Sequence, residues 1–89
     1  MKLHIAPPAR AEILEAMAYF DSKGRSVARH FAADLRQTLQ SILDEPTAWP
    51  RMTRRSRKRN MYRFKYGVVY QIKESLIAIV AFVNLLRGP

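Results

Sequence analysis

The sequence predicts a single α+β domain: one short strand, an antiparallel helix hairpin, then a three-stranded antiparallel meander, packed as a two-layer sandwich. Three observations lead there. The chain has 89 residues, so 1–89 forms one domain with no room for a second. Its apolar residues recur with a helical period as far as Glu45 and with a period of two from Asn60 onward. Prolines and glycines (Pro7-Pro8, Gly24, Pro46, Gly67) fall where one periodic stretch gives way to the next.

Each element follows in order. Lys2 to Ala6 alternates Lys and His with Leu3 and Ile5, a short strand whose two apolar residues point inward. Pro7-Pro8 ends it, and proline suits the first turn of a helix. From about Ala9, Ile13, Met17 and Phe20, flanked by Leu14 and Ala18, keep helical spacing up to a stop at Gly24. Glu12 and Glu15 lie toward the start of this helix, where its dipole favours anions. Ser26 is the expected cap of a second helix, whose stripe is Ala28, Phe31, Leu35, Leu39 and Ile42. Glu45, held out of helical geometry by Pro46, ends it. Trp49 is expected to plug one end of the core. Tyr62, Phe64 and Tyr66 then alternate with Met61, Arg63 and Lys65 as a strand closed by a turn at Gly67. Val68, Tyr70 and Ile72 continue a second strand up to a turn at Glu74-Ser75. Leu76 to Val83 is apolar at every position and reads as a central strand, and Asn84 to Pro89 as a short tail.

Composition narrows the function. There is no cysteine, which removes disulfides, thiolate catalysis and Cys-based zinc sites and points to the cytoplasm. Neither a signal peptide nor a run long enough to span a bilayer is visible, so no membrane partner is expected. The net charge of +9 is concentrated: Arg51, Arg54, Arg55, Arg57, Lys58, Arg59, Arg63 and Lys65 occupy one stretch without an acidic residue. The rest of the chain nets only +1. Such crowding is self-repulsive and suggests a polyanionic partner, although a solvated basic loop is the bland alternative. Arg63 and Lys65 are expected on the open side of the sheet, joined with the loop arginines into one positive surface.

At this point the sequence resembles the RelE/ParE superfamily of bacterial type II toxins. The likeness rests on Pro7 to Glu12 entering the first helix and on Ala32-Ala33-Asp34-Leu35 through Leu43-Asp44-Glu45-Pro46 closing the second. It rests further on Tyr62 to Tyr70, on Ile77 to Asn84 and on the terminal Arg87-Gly88-Pro89. The resemblance implies a toxin restrained by a cognate acidic antitoxin that wraps an amphipathic segment around it. It leaves two targets open. ParE-like members poison DNA gyrase without being enzymes, whereas RelE-like members enter the ribosome and cleave mRNA. A basic nucleic-acid-binding module without toxicity is the third possibility.

Metal-free RNA cleavage needs a proton acceptor, a proton donor and cations around the phosphate. The cations are abundant, and a nuclease here would use Arg59, Arg63 and Arg87, with Asn84 only positioning, since an amide exchanges no proton near neutrality. The proton carriers are scarce. His4 and His30, the two histidines, read as structural or exposed residues. Relatives often place a histidine where Asn84 stands, and the tyrosine that some carry near the C-terminus is missing. Tyr62, Tyr66 and Tyr70 read as core by alternation. The balance favours the gyrase-directed, non-enzymatic reading. The three glycines are isolated and form no phosphate loop, and no His/Asp/Glu spacing suits a metal. No cofactor, metal or small-molecule substrate is therefore expected. Apolar residues in excess of the core, Leu14, Leu43, Leu85 and Leu86, are the candidates for an antitoxin groove.

Overall fold

A computed structural model describes residues 1–87. Gly88 and Pro89, part of the quoted likeness and of the expected tail, lie outside the described residues. The elements run β1 (Lys2–Ile5), α1 (Pro7–Lys23), α2 (Arg25–Asp44), β2 (Arg57–Asn60), β3 (Tyr66–Lys73) and β4 (Leu76–Asn84). They form one four-stranded sheet in the order β1-β4-β3-β2. The α+β architecture and the antiparallel β2-β3-β4 meander are as expected. β1 lies parallel to β4, with Lys2 opposite Leu76 and Ile5 opposite Ile79, so the sheet is mixed rather than wholly antiparallel. A uniformly apolar β4 signals a central position but not the direction of its neighbour.

Both helices lean on this sheet through a core of Ala9, Ile13, Phe31, Leu35, Ile42, Val68, Tyr70, Ile77, Ile79 and Phe82. Leu3 and Ile5 pack against it from β1, as their alternation predicts. Only Gly24 separates the helices, and its φ of 137° with ψ of 149° belongs to a region that glycine alone enters easily. Gly24 also takes the N-terminal cap position of α2, which displaces Ser26 from the expected role; no side chain caps this helix. On α1 the buried line is Ala9, Ile13 and Ala16, and Met17 stays exposed. Glu12 and Glu15 sit beyond the first turn of α1, so the dipole does not explain them. Glu12 instead accepts the backbone N–H of Phe82 on β4 at 3.2 Å.

The largest departure concerns residues 57–67. β2 is Arg57-Lys58-Arg59-Asn60, and Met61 to Lys65 is a loop rather than a strand. Gly67 is not a turn residue: it lies within β3 opposite Asn60 and Val83. A Cβ there would come within 3.0 Å of Asn60 Oδ1 and 3.1 Å of Lys58 Cδ, so glycine leaves space for the side chains of β2. The loop is closed by Asp34, buried on α2, whose carboxylate accepts N–H groups from Tyr62, Arg63 and Phe64 at 3.1, 2.8 and 3.1 Å. Three charge-assisted bonds hold that carboxylate away from water. They also turn Tyr62 outward, where it is exposed instead of core, while Tyr66 and Tyr70 pack inside as read.

Candidate functional site

The eight cations of residues 51–65 do not form one patch. β2 is an edge strand, and alternation along it sends Arg57 and Arg59 toward the end of α2 while Lys58 packs beside Gly67. Arg59 is half-buried and sandwiched: its guanidinium lies 3.8 Å from the ring centroid of Trp49 and 4.6 Å from that of Tyr62. Its Nε donates to Ser41 Oγ at 3.4 Å, and Trp49 Nε1 donates to the Ser41 carbonyl at 3.3 Å. Trp49 is thus the expected plug, with an arginine laid over it. Together Asp34, Thr38 and Ser41 form a polar line down α2, since Thr38 donates to the Asp34 carbonyl and Ser41 to the Thr38 carbonyl.

A first cleft, of about 430 Å³, opens beside the end of β3. Arg51, Arg54, Arg55, Arg57 and Lys73 line it with Tyr70 and Ile72, and none of its lining residues is acidic. Arg57 is fixed by two carbonyls, Thr47 at 3.1 Å and Trp49 at 2.7 Å. Tyr70 donates its hydroxyl to the Pro46 carbonyl at 2.5 Å. Burial pushes the Tyr70 pKa above its usual value, with Arg57 and Arg59 pulling the other way.

A second cleft, of about 760 Å³, lies on the α1 side of the sheet. Its floor is aromatic. Phe20 meets Phe64 edge-on at 4.9 Å between centroids, and Tyr66 stacks on Phe82 at 4.8 Å. Its rim carries Arg63, Lys65 and Arg87 together with Glu12 and Glu15. Arg63 and Lys65 therefore face α1 rather than the open side of the sheet. Leu86 and Tyr19, both exposed, flank the same cleft.

The residues named for a nuclease are divided. Arg63, Asn84 and Arg87 share the second cleft, whereas Arg59 is held between two rings elsewhere. Asn84 ends β4, and its Oδ1 accepts the Leu86 N–H at 2.9 Å in the turn that follows. His4 and His30 are exposed. Of the groove candidates, Leu14 and Leu86 are exposed, Leu85 is half-buried, and Leu43 packs against the core, so it is not in excess of it. Among the described residues there is no group of three His, Cys, Asp or Glu suited to a metal ion, and no helix long and apolar enough to cross a membrane.

Fold and clefts together define a small basic two-layer α+β protein with two separate clefts. Comparison with known proteins makes this specific. Residues 3–84 match the family model of the ParE toxin of type II toxin–antitoxin systems, parDE, and the chain belongs to that family. Among solved structures it is similar to a chain of the chromosomal ParDE toxin–antitoxin system from P. aeruginosa. That match has 15% identity and a TM-score of 0.82 and covers 96% of each chain, which establishes the shared fold. No curated protein matches in sequence. Membership makes the protein a type II toxin, and it implies an antitoxin partner.

Proposed function

We propose that this toxin inhibits DNA gyrase by protein–protein contact and that a cognate acidic antitoxin neutralises it by occupying the aromatic-floored cleft. The observation that carries the first half is the dispersal of the cations that RNA cleavage would have to gather. Arg59 spends its guanidinium on Trp49, Tyr62 and Ser41, while Arg63 and Arg87 rim a separate cleft. Phosphoryl transfer needs its charges converging on one atom to sub-ångström tolerance, and a binding surface does not. The second half is supported by the cleft itself: an apolar floor beside Arg63, Lys65 and Arg87, with Glu12 already engaged by the Phe82 N–H and Glu15 at the α1 side, suits an amphipathic acidic segment.

The test is a supercoiling reaction with purified toxin, gyrase and plasmid, read alongside mRNA 5′ ends in expressing cells. Gyrase trapped on cleaved DNA, with no new 5′ ends, is the expected result. Unperturbed supercoiling together with new 5′ ends inside translated messages would transfer the function to ribosome-dependent mRNA cleavage.

A further inference from the structure

We infer that the first cleft, formed by Arg51, Arg54, Arg55, Arg57 and Lys73, is a docking site for the phosphodiester backbone of duplex DNA. The choice of DNA over other duplexes rests on the gyrase reading above; the site itself does not.

The cleft is built in advance of any ligand. Its loop closes on itself, with Met52 and Thr53 donating N–H groups to the Ser56 carbonyl at 2.9 and 3.2 Å. Thr53 Oγ1 accepts the N–H groups of Arg55 and Ser56 at 3.2 and 3.1 Å, and Ser56 is buried beneath. Arg51 donates Nη1 to the Arg54 carbonyl at 3.1 Å, and Arg57 is anchored on Thr47 and Trp49. Arg54 and Arg55 stand exposed at the rim of this hydrogen-bonded frame. Five cations with no acid in the lining hold a strong local positive field, and guanidinium forks match phosphate oxygens in pairs.

The form of the ligand follows from what lines the cleft. Single-strand binders stack bases on exposed rings. Tyr70, the ring lining this cleft, is buried with its hydroxyl given to Pro46, while Trp49 and the exposed Tyr62 lie outside the lining with Arg59 over one face of each. What remains is a row of cations along a loop and a sheet edge, which is the equipment for sequence-independent backbone contact. A duplex offers one negative charge per about 1.7 Å of its axis, which such a row can follow.

Fluorescence anisotropy of a labelled mixed-sequence duplex, titrated with the isolated toxin over a salt series, tests this without gyrase. About four phosphate contacts give a log–log salt slope of about −3.6. The double variant R54E/R55E is expected to bind about tenfold or more weakly, with the slope reduced in magnitude by about 2. The charge-matched control R10E/R29E, on the exposed helix surfaces, is expected to lose much less. Equal losses in the two variants, tighter binding to the single strand than to the duplex, or displacement by low inorganic phosphate would each overturn the assignment. Duplex binding without gyrase trapping would remove the gyrase reading and leave this site standing. Trapping without duplex binding would do the reverse.

Discussion

Tyr70 shows how a residue can be core and site at once. Its ring is fully buried, its hydroxyl reaches the Pro46 carbonyl, and two arginines of β2 face it. Tyr70→Phe strands that carbonyl and should cost about 1 kcal/mol of stability, read from urea unfolding. Because burial raises its pKa, the fold favours the neutral phenol. Its contribution is complete below the ordinary tyrosine value of about 10 and disappears as pH rises through the higher folded value. The wild-type chain should therefore lose stability above about pH 10 more steeply than Tyr70→Phe does. Matching alkaline profiles would show that the phenol is not coupled to folding. Arg59 is a comparable case at the same scale: its charge is abundant in the sequence, yet its work is to clamp Trp49 and Tyr62.

Among the elements, the loop from Met61 to Lys65 depends on α2 more than on either strand it joins. Asp34→Ala would leave three N–H groups without an acceptor and should cost about 3 kcal/mol, whereas Asp34→Asn, with one oxygen replaced by a donor, should cost about 2 kcal/mol. Hydrogen exchange at residues 62–64 should accelerate in both variants; unchanged protection would mean that the loop holds itself. This clamp also marks where sequence reading stops. α1, α2 and β4 are legible because their apolar residues recur at the period of the element. β2 is not, since Arg-Lys-Arg-Asn has no apolar face and its inward arginines are stabilised by loop carbonyls and rings on either side of the strand, which no periodicity reveals. Tyr62-Arg63-Phe64-Lys65-Tyr66 alternates like a strand, but the alternation is satisfied by a bend around one carboxylate. Asp34, Thr38 and Ser41 do keep helical spacing, so a polar line along α2 was visible; its partner 28 to 30 residues away was not. The concentration of charge is plain in the sequence, but its division into two clefts depends on that same bend.

For the molecule as a whole, the division sets a cationic cleft apart from an aromatic-floored one. The second cleft joins an aromatic floor to Arg63, Lys65 and Arg87, so Leu86→Asp or the pair R63E/K65E should weaken antitoxin binding by about tenfold or more while thermal unfolding stays close to wild type. Calorimetric titration with the antitoxin checks this, and undiminished affinity in both variants would place the antitoxin elsewhere.

The parallel pairing of the first strand with the last has a consequence for biosynthesis. Lys2 to Ile5 finds its neighbour only in Leu76 to Ile79, and Glu12 finds its own at Phe82. A growing polypeptide therefore carries an unpaired leading edge until nearly the whole chain has emerged, and such distant closure is slow to nucleate. The four-stranded sheet is therefore complete only once residues 76–79 are available to the first strand.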